Sequence, residues 1–275
     1  MYRYHETHYR KLIECYKSDI DELSSSWGKQ RNPNTFLDQL CKIKTDLDLD
    51  KKTVESLDTS FRWKSISVDD LKKFCKSEKS YIKKIIAIFA WGGMNEKYFI
   101  TCMTGRKVIK SKDQNKYLID QDSKKISSNH KHLVILLKSI QRIDLSRKEI
   151  FKLFQHLNLS GCKIAYFTKL MFFLAPKENW CFILDQWTGR SVNLLLGPDD
   201  SLINMNHDKK NNKQYVNDKN TEETYEMFCN IIEDLSIRIS SDLKINFQPH
   251  HVEQLLFSRP NPNKLSWRTY VEQNG

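Results

Sequence analysis

The chain has 275 residues, of which 39% are hydrophobic, and its formal net charge at pH 7 is +11. This length allows one large domain or two small ones, and a chain of this size buries enough surface for such a hydrophobic content to form a core. The charge favours a polyanionic partner, although a lysine-rich solvated surface gives the same excess. No apolar run approaches the roughly 20 residues of a membrane-spanning helix, and the first residues do not have the pattern of a signal peptide.

Residues 1–78 are predicted to form helices joined by polar loops, and they contain no alternating strand pattern. Ser67 followed by Asp69 and Asp70 is typical of a helix N-terminus. An earlier amphipathic helix is indicated by apolar residues at spacings of three and four, namely Tyr9, Leu12, Ile13, Tyr16, Ile20 and Leu23.

A buried helix is predicted to run from Tyr81 into the pair Gly92-Gly93, and an apolar face resumes at Tyr98 and Phe99. Two consecutive glycines permit a tight turn or a close approach of the backbone to a ligand. Two core helices with a plain connecting turn explain the same pattern, so the sequence leaves both interpretations open.

Residues 104–132 are polar, rich in Lys and Ser and without clear periodicity, and they are predicted to form a loop. A helix restarts at residues 133–137. Ser146 and Glu149 have the spacing of a capping box, which predicts a further helix that ends at Leu157-Asn158.

The most apolar stretch of the chain follows directly. Its helix is predicted to begin at Ser160 or Gly161 and to run through Phe173 or Leu174, because Pro176 prevents continuation.

Two lysines lie on this helix, Lys163 in its first turn and Lys169 six residues later. Their side chains therefore project roughly 120° apart and lie about 9 Å apart along the axis, so they do not easily serve one point. In the plainest interpretation each is a solvated or phosphate-binding lysine.

Asp185 stands at the end of the apolar stretch, directly after Phe182-Ile183-Leu184 and two residues before Trp187. A carboxylate in such company is a helix N-cap, a site carboxylate or both, because an N-cap side chain accepts backbone N–H bonds and a carboxylate held in this way stays ionised. Arg190 follows on the same predicted helix.

The remaining residues begin with a long polar segment over 197–220, which is predicted to be functional or disordered. Helices are predicted to begin near Thr221 and near Pro249. In the last of these, Glu253 and Phe257 lie one turn apart on one face, and a core Phe beside a surface Glu is the plain alternative to a pair of functional residues.

The cysteines argue against a structural metal or a disulfide framework. They are odd in number, and no two have C-x-x-C spacing; they stand at positions 15, 41, 75, 102, 162, 181 and 229. We therefore expect free thiols in a reducing cytoplasm, no metal and no cofactor.

The central stretch resembles the helix-hairpin-helix DNA glycosylases, and most closely the bacterial 8-oxoguanine-glycosylase-like proteins of the OGG fold. The resemblance is carried by Leu157-Asn158-Leu159-Ser160-Gly161-Cys162-Lys163-Ile164-Ala165 and, 22 residues after the lysine, by Ile183-Leu184-Asp185. In that superfamily the hairpin typically reads L-P-G-V-G-x-K-x-A. Here Asn158 stands where proline is expected and Leu159 where the first glycine is expected.

The resemblance implies a wholly or mainly α-helical fold with two helical lobes flanking a cleft. It implies Asp185 as the catalytic carboxylate, since an ionised carboxylate beside C1′ stabilises the positive charge that builds on the sugar. Lys163 aligns with the nucleophile of the superfamily, and Lys169 lies in a Thr-Lys-Leu run that is typical of the bacterial proteins, so either is a candidate amine nucleophile.

Further roles are implied for residues outside the hairpin. A turn near Gly92 is expected to push a residue into the gap left by a flipped base, and Glu253, Phe257 and Trp187 are expected to bind that base. Glu253 stands where related enzymes have a base-reading Gln, and a carboxylate can only accept hydrogen bonds. The DNA-binding residues implied are Trp91, Gly92, Gly93, Met94, Asn95, Gly161 and Arg190.

We therefore predict a single helical domain over residues 1–275, with the turn, the hairpin and Asp185 in 78–195, the polar loop in 197–220 and the last helices in 221–275. The predicted activity is hydrolysis of the N-glycosidic bond of a modified base in double-stranded DNA, with an AP-lyase step if a lysine attacks. Two alternatives stay open: excision of hypermodified bases from foreign phage DNA as a defence, and a non-catalytic DNA-binding protein on the same fold. Neither a membrane nor an obligate protein partner is expected.

Overall fold

The computed structural model describes residues 2–19, 31–42, 55, 60–106, 108–110, 117–119, 129–141, 144–176, 181–210, 213–257 and 266–275. Within these ranges the chain forms twelve α-helices and two short antiparallel hairpins, which confirms the prediction of a mainly helical fold. None of the described helices is long and apolar enough to cross a membrane.

The elements follow one another along the chain as α1 (Glu6–Asp19), α2 (Pro33–Lys42), α3 (Val68–Ser77), α4 (Tyr81–Trp91), α5 (Glu96–Thr104), β1 (Val108–Lys110), β2 (Tyr117–Ile119), α6 (Asn129–Ile140), α7 (Arg147–Leu157), α8 (Ile164–Leu174), α9 (Gln186–Leu196), β3 (Met205–Asp208), β4 (Lys213–Val216), α10 (Glu222–Leu243), α11 (Pro249–Phe257) and α12 (Trp267–Asn274).

The chain divides into two compact units, each built from separated segments. Unit 1 comprises residues 1–27, 146–152 and 177–275, and unit 2 comprises residues 28–145 and 153–176. Helix α7 begins in unit 1 and ends in unit 2. The candidate lysines therefore belong to unit 2, whereas Asp185, Glu253 and Phe257 belong to unit 1.

The core of unit 2 is organised by α4, in which every residue from Ile82 to Trp91 is buried. Phe99 of α5 packs edge-to-face on Phe89, with ring centres 6.5 Å apart, and on Phe36 of α2 at 4.9 Å. Burying an aromatic or large aliphatic side chain contributes roughly 1.5–3 kcal/mol. This packing explains why so apolar a helix forms inside a polar chain.

Unit 2 also contains the hairpin β1–β2, which the sequence analysis missed. Val108 pairs with Ile119 and Lys110 with Tyr117 in antiparallel register. The prediction of loop over residues 104–132 is thus wrong for these strands, because three residues are too few to show an alternating pattern.

Unit 1 is organised by α10, which has 22 residues and is capped by Thr221 as predicted. The Thr221 side chain accepts from the backbone N–H of Thr224. Apolar residues at spacings of three and four make one face of the helix buried, namely Tyr225, Phe228, Ile231, Ile232, Leu235 and Ile239.

Arg147, at the first position of α7, ties that helix to α10. Its guanidinium lies 3.0 Å from a carboxylate oxygen of Glu226, 2.5 Å from one of Glu233, and donates to the Asn230 side chain. Arg147 is 5% exposed. The positive charge of this buried guanidinium is therefore balanced by the two carboxylates rather than by water.

The polar segment 197–220 is ordered rather than irregular over its described part: β3 and β4 pair from Met205↔Val216 to Asp208↔Lys213. The Asn193 side chain on α9 holds the residues that lead into β3, because it accepts from the N–H groups of Leu202 at 3.1 Å and Ile203 at 2.7 Å. A Cβ on Gly189 of α9 would lie only 3.2 Å from the Ile203 side chain. The segment therefore packs directly on α9.

Two further predicted helix starts, at Ser67 and Ser146, agree with the structure, and the predicted start of α8 does not. Ser67 accepts from Asp70 N–H, and the Ser146–Glu149 capping box is formed. Helix α8, however, begins at Ile164, so Lys163 is its N-cap rather than a first-turn residue. Among the predicted residues of the first helix, positions 20 and 23 lie outside the described residues.

Candidate active site

Asp185 is the N-cap of α9, as the sequence predicted. Its Oδ1 accepts from the backbone N–H of Trp187 at 2.8 Å and of Thr188 at 3.3 Å, and Thr188 Oγ1 accepts from Asp185 N–H at 3.0 Å. This reciprocal capping box fixes both the backbone and the carboxylate. Asp185 is 7% exposed, so the carboxylate stands at a defined position with little access to water.

The segment before Asp185 is buried and is held by side chains rather than by a β-sheet. Phe182, Ile183 and Leu184 are all 0% exposed. The Tyr225 hydroxyl donates to Phe182 C=O at 2.8 Å and lies 3.2 Å from Phe182 N–H. Burial raises the pKa of Tyr225 well above its usual value, which keeps the hydroxyl protonated and able to donate.

Glu253 of α11 also contacts this segment. Its Oε1 accepts a short hydrogen bond from Ile183 N–H, and the residue is 0% exposed. The alternative of a surface Glu is therefore wrong, since the side chain is fully buried. Phe257, one turn later, is 7% exposed.

Trp187, in the first turn of α9, belongs to an aromatic and cationic cluster with Phe257 and Arg268. The Arg268 guanidinium lies 3.9 Å from the centre of the Trp187 ring and 5.8 Å from that of Phe257. Such distances are within the range of cation–π attraction. Two of the predicted base-binding residues, Trp187 and Phe257, are thus brought together by a residue that the sequence analysis did not single out.

Arg190 is engaged inside unit 1. One terminal nitrogen donates to the carbonyl groups of Val271 at 2.9 Å and Gly275 at 3.1 Å. Val271 lies in the last turn of α12 and Gly275 directly follows the helix, so both carbonyls are at the helix end where a cation is favourable. A phosphate contact by Arg190 stays a prediction, and the bonds present give this residue a structural role.

In unit 2, the turn between α7 and α8 is built from two residues with positive φ. Asn158 has φ 41° and Gly161 has φ 79°. A Cβ on Gly161 would lie 2.6 Å from Tyr98 C=O, so this position requires glycine for both reasons. Proline cannot adopt the φ of Asn158, which explains the absence of the proline expected in the hairpin pattern.

Lys163 and Lys169 occupy different environments in unit 2. Lys163 is exposed at the N-cap of α8 and makes no side-chain cap bond. Lys169 is 3% exposed, and its Nζ donates to Ala165 C=O at 2.8 Å. The two lysines are therefore distinguishable by access, which the sequence could not show.

The two glycines after α4 have different structural roles. A Cβ on Gly92 would lie 2.6 Å from Lys169 Cδ, so the first glycine makes room for the aliphatic part of that lysine. Gly93 has φ 69° and makes the turn. Asn95 then caps α5 by accepting from Lys97 N–H.

The wedge role expected of this turn does not fit Trp91 and Met94. Trp91 is 1% exposed and packs edge-to-face on Phe173 at 5.0 Å, and Met94 is 0% exposed. A residue that fills the gap left by a flipped base must stand at the surface, so these two side chains belong to the core. The DNA contacts expected of Gly92, Gly93 and Asn95 stay predictions.

Three further residues matter to the site but were missed. Thr188 was detectable, because Asp-x-x-Thr at positions 185–188 has capping-box spacing. Tyr225 and Arg268 reach the site from α10 and α12, and no local sequence pattern points to such long-range contacts. Among the described residues, no group of three or more His, Cys, Asp or Glu is placed to hold a metal ion.

Comparison with known proteins gives one finding. A family model described as "Putative 8-oxoguanine DNA glycosylase OGG-like protein" matches residues 42–257, which is more than half of the chain. The matched region includes the α7–α8 turn, Asp185 and Glu253 and leaves out α1 and α12. No curated protein and no solved structure matches the chain.

Proposed function

Since the chain belongs to the family of OGG-like proteins described as putative 8-oxoguanine DNA glycosylases, we propose that it hydrolyses the N-glycosidic bond of a modified base in double-stranded DNA. The observation that carries the proposal is Asp185: a buried carboxylate fixed by a capping box, at the position where the family resemblance expects the catalytic acid. The net charge of +11 supports a DNA partner.

The proposed chemistry follows from a fixed negative charge beside the sugar. As the bond from C1′ to the base nitrogen breaks, its electron pair leaves with the base, and positive charge builds on the sugar. The Asp185 carboxylate stabilises that charge and takes a proton from the water whose oxygen bonds to C1′, and the departing base takes up a proton. Because the capping box already orients the carboxylate, little reorganisation is needed at the moment of reaction.

We assign the amine of a lyase step to Lys163, because its side chain is exposed. In that step the neutral amine forms the bond to C1′ while the base leaves with the electron pair and takes up a proton. The nitrogen then loses a proton, and the C1′–O4′ bond opens, with O4′ taking up a proton, to give an imine between the lysine and C1′. Lys169 would first have to give up its bond to Ala165 C=O, so it serves as the comparison lysine.

Asp185→Asn is the variant that tests the proposal. The amide keeps an oxygen that can accept from Trp187 and Thr188 N–H, so the cap and the fold are retained while the charge is lost. Duplex DNAs with a panel of modified bases, including oxidised and hypermodified ones, are incubated with each protein and then treated with hot alkali. We expect breaks at one base with the wild type and a rate about 10³-fold lower with Asp185→Asn. Asp199→Asn, at an exposed acid, is the matched control.

The same assay separates the alternatives. Release of a hypermodified base alone would favour a role against foreign DNA, whereas salt-sensitive DNA binding without release of any base would favour a non-catalytic binding protein. Borohydride trapping of a covalent complex that is lost in Lys163→Gln and kept in Lys169→Gln would support the lysine assignment. Equal release by Asp185→Asn and the wild type would refute the proposed role of the carboxylate.

A further inference from the structure

We propose that Glu253 is a positioning residue for Asp185 and does not read the flipped base. This inference rests on the proposed function, because it concerns how the proposed catalytic carboxylate is held. The resemblance implied that Glu253 contacts the base; we infer instead that it holds the backbone that leads to Asp185.

The segment before Asp185 needs hydrogen-bond partners for its buried backbone. Phe182, Ile183 and Leu184 are fully buried and lie outside the β-sheets of the described chain. A buried backbone N–H or C=O group needs a hydrogen-bond partner. Side chains meet this need here, since Tyr225 bonds the N–H and C=O of Phe182, and Glu253 accepts from Ile183 N–H.

A continuous hydrogen-bond chain runs from Glu253 to Asp185. Glu253 holds Ile183 N–H, and Thr188 Oγ1 donates to Ile183 C=O at 2.7 Å. The same Thr188 oxygen accepts from Asp185 N–H at 3.0 Å. Both polar groups of the Ile183 backbone are therefore fixed, and one of the two bonds is shared with the cap of Asp185. A shift at Glu253 would move Ile183, and with it the backbone that runs through Leu184 to Asp185.

The Glu253 side chain also lacks the exposure that a base-reading residue needs. Glu253 is 0% exposed, whereas a residue that reads a base must be reachable from the pocket that receives it. The partner of Glu253 is a buried backbone N–H, that of Ile183, which needs an acceptor. The burial and the partner of Glu253 both favour positioning over base reading.

The test compares two variants at Glu253. Glu253→Gln keeps an oxygen that can accept from Ile183 N–H, and Glu253→Met keeps the shape of the side chain but removes the acceptor. Single-turnover rates of base release are measured on every base that the wild type releases, together with the DNA dissociation constant. We expect Glu253→Met to lower the rate at least about tenfold on all of these bases alike, and Glu253→Gln to recover most of that loss. The DNA affinity should change little in both.

A base-reading role predicts a different outcome. The amide of glutamine presents a different set of donors and acceptors from the carboxyl group, so a reader in Glu253→Gln would change which bases of the panel are released or the ratio of their rates. Such a change would overturn the positioning role.

Hydrogen exchange at the Ile183 and Asp185 amides keeps this inference separate from the proposed function. Faster exchange in Glu253→Met and near-wild-type exchange in Glu253→Gln would support the positioning role of Glu253 even if no base is released by any protein. Unchanged exchange in Glu253→Met would refute it even if the enzyme is active. Should Glu253→Met fail to fold, Thr188→Val and Thr188→Ser test the same chain, because only serine keeps the hydroxyl between Ile183 and Asp185.

Discussion

At the scale of single residues, the α7–α8 turn shows how one departure from the expected hairpin pattern, Asn158, is explained by backbone conformation. Asn158 takes a left-handed conformation directly after the last residue of α7, a place where glycine or asparagine commonly ends a helix. Gly161 is required by its own positive φ and by the nearby carbonyl of Tyr98. The turn is thus built by Asn158 and Gly161 rather than by proline and two glycines.

Gly161→Ala should lower the free energy of unfolding by about 1–3 kcal/mol, because alanine at φ 79° is strained and its Cβ would press on Tyr98 C=O. Asn158→Gly is the matched control, since glycine adopts φ 41° without cost, and it should change stability little. Urea unfolding of the two variants measures the difference. Equal stability of Gly161→Ala and the wild type would contradict this account of the turn.

At the scale of elements, side-chain bonds between distant helices position the site. Helix α10 contributes Tyr225 to the segment before Asp185 and binds Arg147 of α7 through Glu226, Asn230 and Glu233. The same helix therefore supports both the active-site backbone and the start of the helix that leads to the hairpin.

Arg147→Leu should destabilise the protein by about 2 kcal/mol, because hydrogen bonds to charged groups are worth roughly 1.5–3 kcal/mol and the partner carboxylates are partly exposed and can rehydrate. Arg10→Leu is the comparison, since its ion pair with Glu6 is exposed and should contribute less than about 1 kcal/mol. Thermal unfolding of both variants distinguishes them. A smaller loss for Arg147→Leu than for Arg10→Leu would refute the role given to Arg147.

The elements also show how far sequence reasoning reaches. Caps at Ser67, Ser146, Asp185 and Thr221 were predictable, because a capping residue and its partners lie within four positions of each other. The hairpins β1–β2 and β3–β4 were not, because three or four residues carry too little periodicity.

Contacts between distant residues set a second limit. The burial of Glu253 and of Trp91 depends on residues far away in the sequence, so neither the backbone role of the one nor the core role of the other was visible.

At the scale of the whole molecule, titration of two partly buried histidines couples stability to pH. Burial lowers the pKa of His8 and of His251 from the usual 6.5. The folded protein thus favours the neutral rings, and the unfolded chain binds more protons below pH 6.5. The stability from these groups is fully present above pH 6.5 and is lost as the pH falls toward their lowered pKa values.

We therefore expect the melting temperature to fall as the pH is lowered from 7.5 to 5.5, and to fall less in His8→Gln. This window lies above that of the acids with lowered pKa, such as Glu149 and Glu222, whose stabilisation is lost only below pH 4.5. Calorimetry at several pH values measures the slope. A melting temperature that is flat or rises over this interval would contradict the prediction.

The interleaved segments of the two units bear on how the chain folds while it is being synthesised. All of unit 2 precedes residue 177, so its segments can come together while later residues are still being added on the ribosome. Helix α1 is made before unit 2, but its partners are made after it, since Tyr9 bonds Asp242 of α10 and His8 contacts Tyr270 of α12. The buried face of α1 must therefore stay uncovered until these later residues are made. The hydrogen bonds from Tyr225 and Glu253 that hold the segment before Asp185 form only after unit 2 has been completed.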